Sequence, residues 1–191
     1  VSPDKFIPIA ERSNHIHDIG LLMLDEVCFA IKTIDRWGFS NVRFNLNMSA
    51  VQLQNSGVID LFAERFAFHN ISAKRIVIEI TESTLQSEKA REVLTAIKQL
   101  GVTISIDDFG TGFSCISELA DEAYDSIKID RSLLPDFPLE TRGELRRSLI
   151  IENVVSMCEK LGMPCTLEGL ETAEQVNFAK KIGARAMQGF Y

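Results

Sequence analysis

Two hydrophobic periodicities alternate along the chain. Short runs rich in β-branched residues end in acids, amides or a lysine: Val42–Met48 (VRFNLNM), Arg75–Thr81 (RIVIEIT), Val102–Asp107 (VTISID), Ser126–Asp130 (SIKID), Pro164–Gly169 (PCTLEG) and Ala184–Tyr191 (ARAMQGFY). Such runs predict strands. Between them lie stretches with apolar residues at helical spacing, which predict helices over Ile19–Arg36, Val58–His69, Glu88–Leu100, Glu144–Leu161 and Ala173–Ile182. In Glu88–Leu100 one face is Ala90, Val93, Leu94, Ile97 and Leu100, and Gly101 then stops the helix. Leu161-Gly162 and Ile182-Gly183 repeat that ending.

Alternating strands and helices imply a parallel sheet with right-handed crossovers. Parallel strands are expected to be apolar on both faces. A doubly wound open sheet and a (β/α) barrel both fit this pattern. The polar strand ends decide between them. Asn47, Glu79, Asp107, Lys128, Glu168 and Gln188 close successive strands at intervals of about 20 to 40 residues, near the ~31 residues per unit of an eight-fold barrel. A barrel gathers such ends on one face, whereas an open sheet spreads them along a line. The Gly-Thr-Gly at 110–112 lacks the third glycine of a dinucleotide fingerprint. The expected fold is therefore an α/β, TIM-like (β/α)8 barrel seen as about six βα units. Six strands do not close such a barrel, so residues 1–191 are expected to be a single domain truncated at both ends.

Composition narrows the function. With 46% hydrophobic and 25% charged residues the chain is an ordinary globular one. The net charge of −7 disfavours unaided binding of a nucleic acid polymer. No apolar run reaches the ~18 residues of a membrane span, and the N-terminus does not read as a signal peptide. Cys28, Cys115, Cys158 and Cys165 show no zinc spacing and read as reduced packing residues of a cytoplasmic protein. His15, His17 and His69 read as surface or cap residues.

The candidate chemistry lies in the acids Glu79, Glu82, Asp107, Asp108, Asp130, Glu168 and Glu171. Singly, each has a plainer reading. Asp107-Asp108 suits a turn or cap, Lys128 with Asp130 a surface pair, and Glu168 and Glu171 a helix's first turn. Jointly, carboxylates converging on one barrel mouth need protons, lysines or cations. Hard oxygen ligands without histidine point to Mg²⁺ or Mn²⁺, with Ca²⁺ as competitor. Adjacent acids at one strand end suit two ions and phosphodiester hydrolysis.

In this order FNLNMSAVQL, IEITES, DDFGTGFS, IKIDRS, LEGLET and QGFY resemble the EAL-domain cyclic-di-GMP phosphodiesterases, and SPDKFIPIAE at 2–11 is similar to the segment after that family's signature strand. The resemblance covers the whole chain. It implies a modified barrel that hydrolyses cyclic-di-GMP to linear pGpG with two Mg²⁺ or Mn²⁺ ions, Ca²⁺ being inhibitory. It further implies that Asn47, Glu79 and Asp107 ligate the first ion and Asp107 and Asp108 the second. Lys128 would orient the attacking water, and Glu168, supported by Glu171, would hold the ion–water network. Gln188 would contact substrate. Glu82 would brace the loop begun by Gly110 and Gly112.

The Glu-Ala-Leu triplet that names the family is absent from these 191 residues. The resemblance places it before Val1, as a further metal ligand, and leaves the chain alone inactive. By the same resemblance a homodimer and a larger parent protein with sensor or GGDEF modules are expected, cytoplasmic or anchored through other segments. The competing expectation is a non-catalytic receptor or scaffold that binds the dinucleotide or a partner.

Overall fold

The computed structural model describes residues 1–111, 119 and 124–191. The chain divides into two compact units, Val1–Ile104 and Ser105–Tyr191.

In the first unit α1 (Pro3–Arg12) begins with proline in its first turn, where a missing N–H costs nothing. It leads to α2 (Ile16–Arg36), which buries Leu24, Val27, Cys28 and Ile31 at i, i+3, i+4 and i+7. Strand β1 (Phe44–Asn47) follows, then α3 (Gly57–His69), β2 (Ile76–Thr81) and α4 (Glu88–Gln99). The Ser87 side chain caps α4 by accepting from the Ala90 N–H, and Ala90, Val93, Leu94 and Ile97 form its buried face. Strands β1 and β2 are parallel, with Asn45 opposite Val77 and Asn47 opposite Glu79.

In the second unit the strand order is β3 (Thr103–Phe109, from Ser105 on), β4 (Ser126–Ile129), β5 (Cys165–Leu170), β6 (Ala186–Gly189), all parallel. Helix α5 (Arg142–Leu161) connects β4 to β5, and α6 (Ala173–Lys181) connects β5 to β6. Both helices open with a capping box, Thr141 with Glu144 and Thr172 with Gln175. At Gly162 (φ +68°) the Met163 N–H reaches the Cys158 carbonyl at 2.9 Å, and Gly183 (φ +84°) repeats the motif with Ala184 and Ala179.

Predicted and observed elements agree to within a few residues at each end. Three expectations change. Ile76–Ile80 and Ile127–Ile129 are buried throughout, but all four residues of β6 are exposed and β1 buries only Leu46. Strand β3 does not end at Asp107 but runs to Phe109, whose ring is buried. His69 is not a surface residue: its Nε2 lies 3.1 Å from Asp25 Oδ1 on α2, and its side chain is 17% exposed. Cys28, Cys158 and Cys165 are buried and unpaired, as packing cysteines are; Cys115 lies outside the described residues.

Candidate active site

A regular strand sends consecutive side chains to opposite faces, so Asp107 and Asp108 should not act together. The register of β3 on β4 removes that objection. Ile106 faces Ile127 and Phe109 faces Ile129, so two residues of β3, the two aspartates, stand against Lys128 alone. This is a β-bulge. Asp108 takes the left-handed conformation, φ +54°, which aspartate tolerates better than most residues. Its N–H donates to Asp107 Oδ1 at 3.1 Å. Its carbonyl accepts from the Thr111 N–H at 3.2 Å and the Thr111 hydroxyl at 2.9 Å. Between them Gly110 has φ +100°, and a Cβ there would run into Leu133 Cδ1. The backbone conformation favours glycine here, since Leu133 Cδ1 is a side-chain end that can shift.

The same device recurs on β5. Leu167 faces Met187 and Leu170 faces Gly189, which leaves Glu168 and Gly169 against Gln188. Gly169 has φ +71°, and a Cβ on it would meet Arg131 Cβ. Each acidic strand end of the second unit is therefore bulged at its acid.

The bulges gather charge. An oxygen atom each from Asp107, Asp108 and Glu168 lies within 4.8 Å of the others. Lys128, only 9% exposed, places Nζ 3.1 Å from Asp107 Oδ1 and 2.7 Å from Glu168 Oε1. The reading of Lys128 and Asp130 as a surface pair is overturned. Three carboxylates against one ammonium leave two negative charges in a half-buried site. Burial first, then Asp107 and Asp130, raise the Asp108 pKa against the pull of Lys128. A site of hard oxygens with uncompensated negative charge fits a divalent cation such as Mg²⁺ or Mn²⁺.

The remaining candidates of this unit are placed as follows. Asp130 caps the turn Arg131–Leu133, its carboxylate accepting from the Ser132 N–H at 2.8 Å. Burial opposes its charge, but the Ser132 hydrogen bonds together with the Arg131 N–H and guanidinium hold its pKa low. Glu171 is exposed and pairs with Arg131 at 3.2 Å. Gln188 is exposed on β6. Gly112 lies outside the described residues.

The first unit carries its own polar cluster. Glu79 is 4% exposed, and its Oε1 accepts from Asn45 Nδ2 at 2.7 Å. The Glu79 main-chain carbonyl accepts from the Met48 N–H at 2.9 Å. Asn47 stands in register with Glu79 and is exposed. Asn45 is a contact that the motif reading passes over. The period-two spacing of Asn45 and Asn47 on one strand face was the signal for it. A cavity of about 520 Å³ has Asn45, Asn47, Glu79 and Thr81 on its polar wall and Phe6 and Ile19 on its apolar wall. Glu82, half-buried, opens the single turn Glu82–Gln86.

Comparison with known proteins places the chain among its relatives. The bifunctional diguanylate cyclase/cyclic di-GMP phosphodiesterase MucR of Pseudomonas aeruginosa is 29% identical over the whole chain, which covers 27% of MucR. The cyclic di-GMP phosphodiesterase NbdA of the same organism is 28% identical, again over the whole chain and 24% of its own length. The chain thus spans about a quarter of the length of these curated relatives. The solved structure of the PaMucR phosphodiesterase in complex with c-di-GMP superimposes with a TM-score of 0.86 at 29% identity, covering all of this chain and 82% of that one. The fold class is the TIM-like α/β fold expected from the strand ends. The EAL domain family model matches residues 1–191, and the chain belongs to that family.

Proposed function

We propose that this chain is the EAL domain of a cyclic-di-GMP phosphodiesterase that opens the cyclic dinucleotide to linear pGpG. The observation that carries the reading is the bulged Asp107-Asp108 pair standing against Lys128 with Glu168 beside it. The relatives named cyclic di-GMP phosphodiesterases support the substrate.

Asp107, Asp108 and Glu168 would hold a divalent cation, Mg²⁺ or Mn²⁺, and Asn47 and Glu79 are the oxygen ligands that the resemblance adds for the other ion. Such cations lower the pKa of water and neutralise phosphoryl oxygens. The chain's own groups do the rest. Lys128 pins Asp107 and Glu168 through its ammonium and orients the attacking water. Asn45 fixes the Glu79 carboxylate by donating to Oε1. Glu171 and Arg131 brace the turn after β5, and Gln188 meets the substrate. Phe6 and the apolar wall of the 520 Å³ cavity offer a surface for a purine base. The assay is run on the whole protein.

The test is chromatography of cyclic-di-GMP incubated with protein and Mn²⁺. Formation of pGpG that is lost in Asp107→Asn and in Lys128→Ala is expected. Dinucleotide bound but intact in a folded, metal-loaded sample would establish a receptor instead.

A further inference from the structure

The strands of the second unit carry a second reactive group at their opposite ends, which the hydrolysis does not use. Cys158, in the last turn of α5, and Cys165, the first residue of β5, flank the Gly162 turn. The Met163 N–H to Cys158 carbonyl bond closes that turn and folds the strand entry back onto the helix end. Both thiols are buried, neither is in a disulfide, and each acts on the titration of the other.

The pair is asymmetric. A cavity of about 160 Å³ opens at the N-terminal ends of β5 and β6, with Val155, Glu159, Met163, Cys165, Arg185 and Ala186 in its wall. Cys165 is part of that wall and Cys158 is not. Arg185 and Glu159, both exposed, pair at 3.0 Å on its rim. The neighbouring Cys158 thiol favours the Cys165 thiolate against burial, and Cys165, then burial, raises the Cys158 pKa. One sulfur is thus the reachable nucleophile, and the other is a shielded thiol within contact of it.

We propose that Cys165 is a modification site for small hydroperoxides, with Cys158 as the thiol that resolves it to a disulfide. In the first step the Cys165 sulfur attacks the O–O bond. An S–O bond forms, the O–O bond breaks, and the departing oxygen leaves as an alcohol, or as water when the oxidant is hydrogen peroxide. In the second step the Cys158 sulfur attacks Cys165. The S–S bond forms, the S–O bond breaks, and the hydroxyl leaves as water with the Cys158 proton. Two thiols lose two electrons in total, and the hydroperoxide accepts them. Intracellular disulfides are usually transient and redox-sensing, which is compatible with a reduced resting state.

The test is peptide mapping of the protein after hydrogen peroxide, quenching, and alkylation in denaturant. Lys160 lies between the two cysteines, so trypsin puts them on separate peptides. The expected product is those two peptides joined, lighter by two hydrogens than their sum, with alkylation at 158 and 165 lost in parallel. Cys28, wholly buried in α2 with its thiol pKa pushed up to about 11 by burial and then Asp25, stays alkylated. In Cys158→Ser, Cys165 accumulates as a sulfenic acid that dimedone captures. In Cys165→Ser, Cys158 remains a thiol. The proposal is overturned if wild-type Cys158 and Cys165 stay fully alkylated at a peroxide dose that oxidises free cysteine in the same tube. It is equally overturned if Cys158 oxidises as fast in Cys165→Ser as in the wild type.

Discussion

Asp108 is the residue on which the electrostatics of the second unit turn. Burial, Asp107 and Asp130 together raise its pKa despite Lys128. A carboxyl whose folded value is raised binds its proton more tightly in the folded than in the unfolded chain. That stabilisation is complete below the ordinary carboxylate value near ~3.9 and is lost as pH rises through the raised value. Metal-free Asp108→Asn should therefore melt above the wild type near neutral pH, with the gap closing as pH falls toward the ordinary value. Calorimetry across that range checks this, and a gap independent of pH would contradict it. Lys128 makes the complementary case. Its ammonium occupies the position a cation would neutralise, 2.7 Å from Glu168 and 3.1 Å from Asp107. In Lys128→Ala the two carboxylates lose their counter-charge, at a cost of about 2–3 kcal/mol without metal. The same variant should bind Mn²⁺ more tightly while losing turnover. Calorimetric titration reads the affinity, and unchanged or weaker Mn²⁺ binding would remove Lys128 from the cation site. Asn45→Ala takes one donor from a buried carboxylate, with an expected cost of about 1–2 kcal/mol and weaker metal binding.

At the scale of elements, helices and strands were legible because their periodicities differ. Glu88–Gln99 and Ile76–Thr81 follow directly from apolar spacing, and the glycine stops were visible as Leu-Gly and Ile-Gly pairs. The bulges were not legible. A one-residue register slip depends on the partner strand, and neither Asp107-Asp108 nor Glu168-Gly169 announces the opposing Lys128 or Gln188 locally. The candidate acids were found, but how two neighbours in sequence come to stand against one lysine was not. Glycines separate the two kinds of position. At Gly162 a Cβ would meet nothing within 4 Å, so Gly162→Ala should cost only the left-handed backbone penalty, about 1 kcal/mol. At Gly169 the same penalty adds to a collision with Arg131 Cβ, and Gly169→Ala should cost about 3 kcal/mol. Chemical denaturation of the two variants compares them directly. Equal losses would mean that the β5 bulge is not the constrained element described.

For the whole molecule, the charge balance sets the terms of function. A chain of net charge −7 has no electrostatic reason to hold an anionic dinucleotide unless cations intervene. Chelation should accordingly abolish substrate binding as well as turnover. The family was legible from six short motifs because each falls at a strand end, where chemistry rather than packing chooses the residue. No described helix is long and apolar enough to cross a membrane. The account rests on the acid cluster converting cyclic-di-GMP, and the measurement that tests this most directly is the product formed by the whole protein with Mn²⁺. The account predicts linear pGpG from the wild type and none from Asp107→Asn; intact cyclic-di-GMP with folded, metal-loaded wild type, or equal pGpG from the variant, would contradict it.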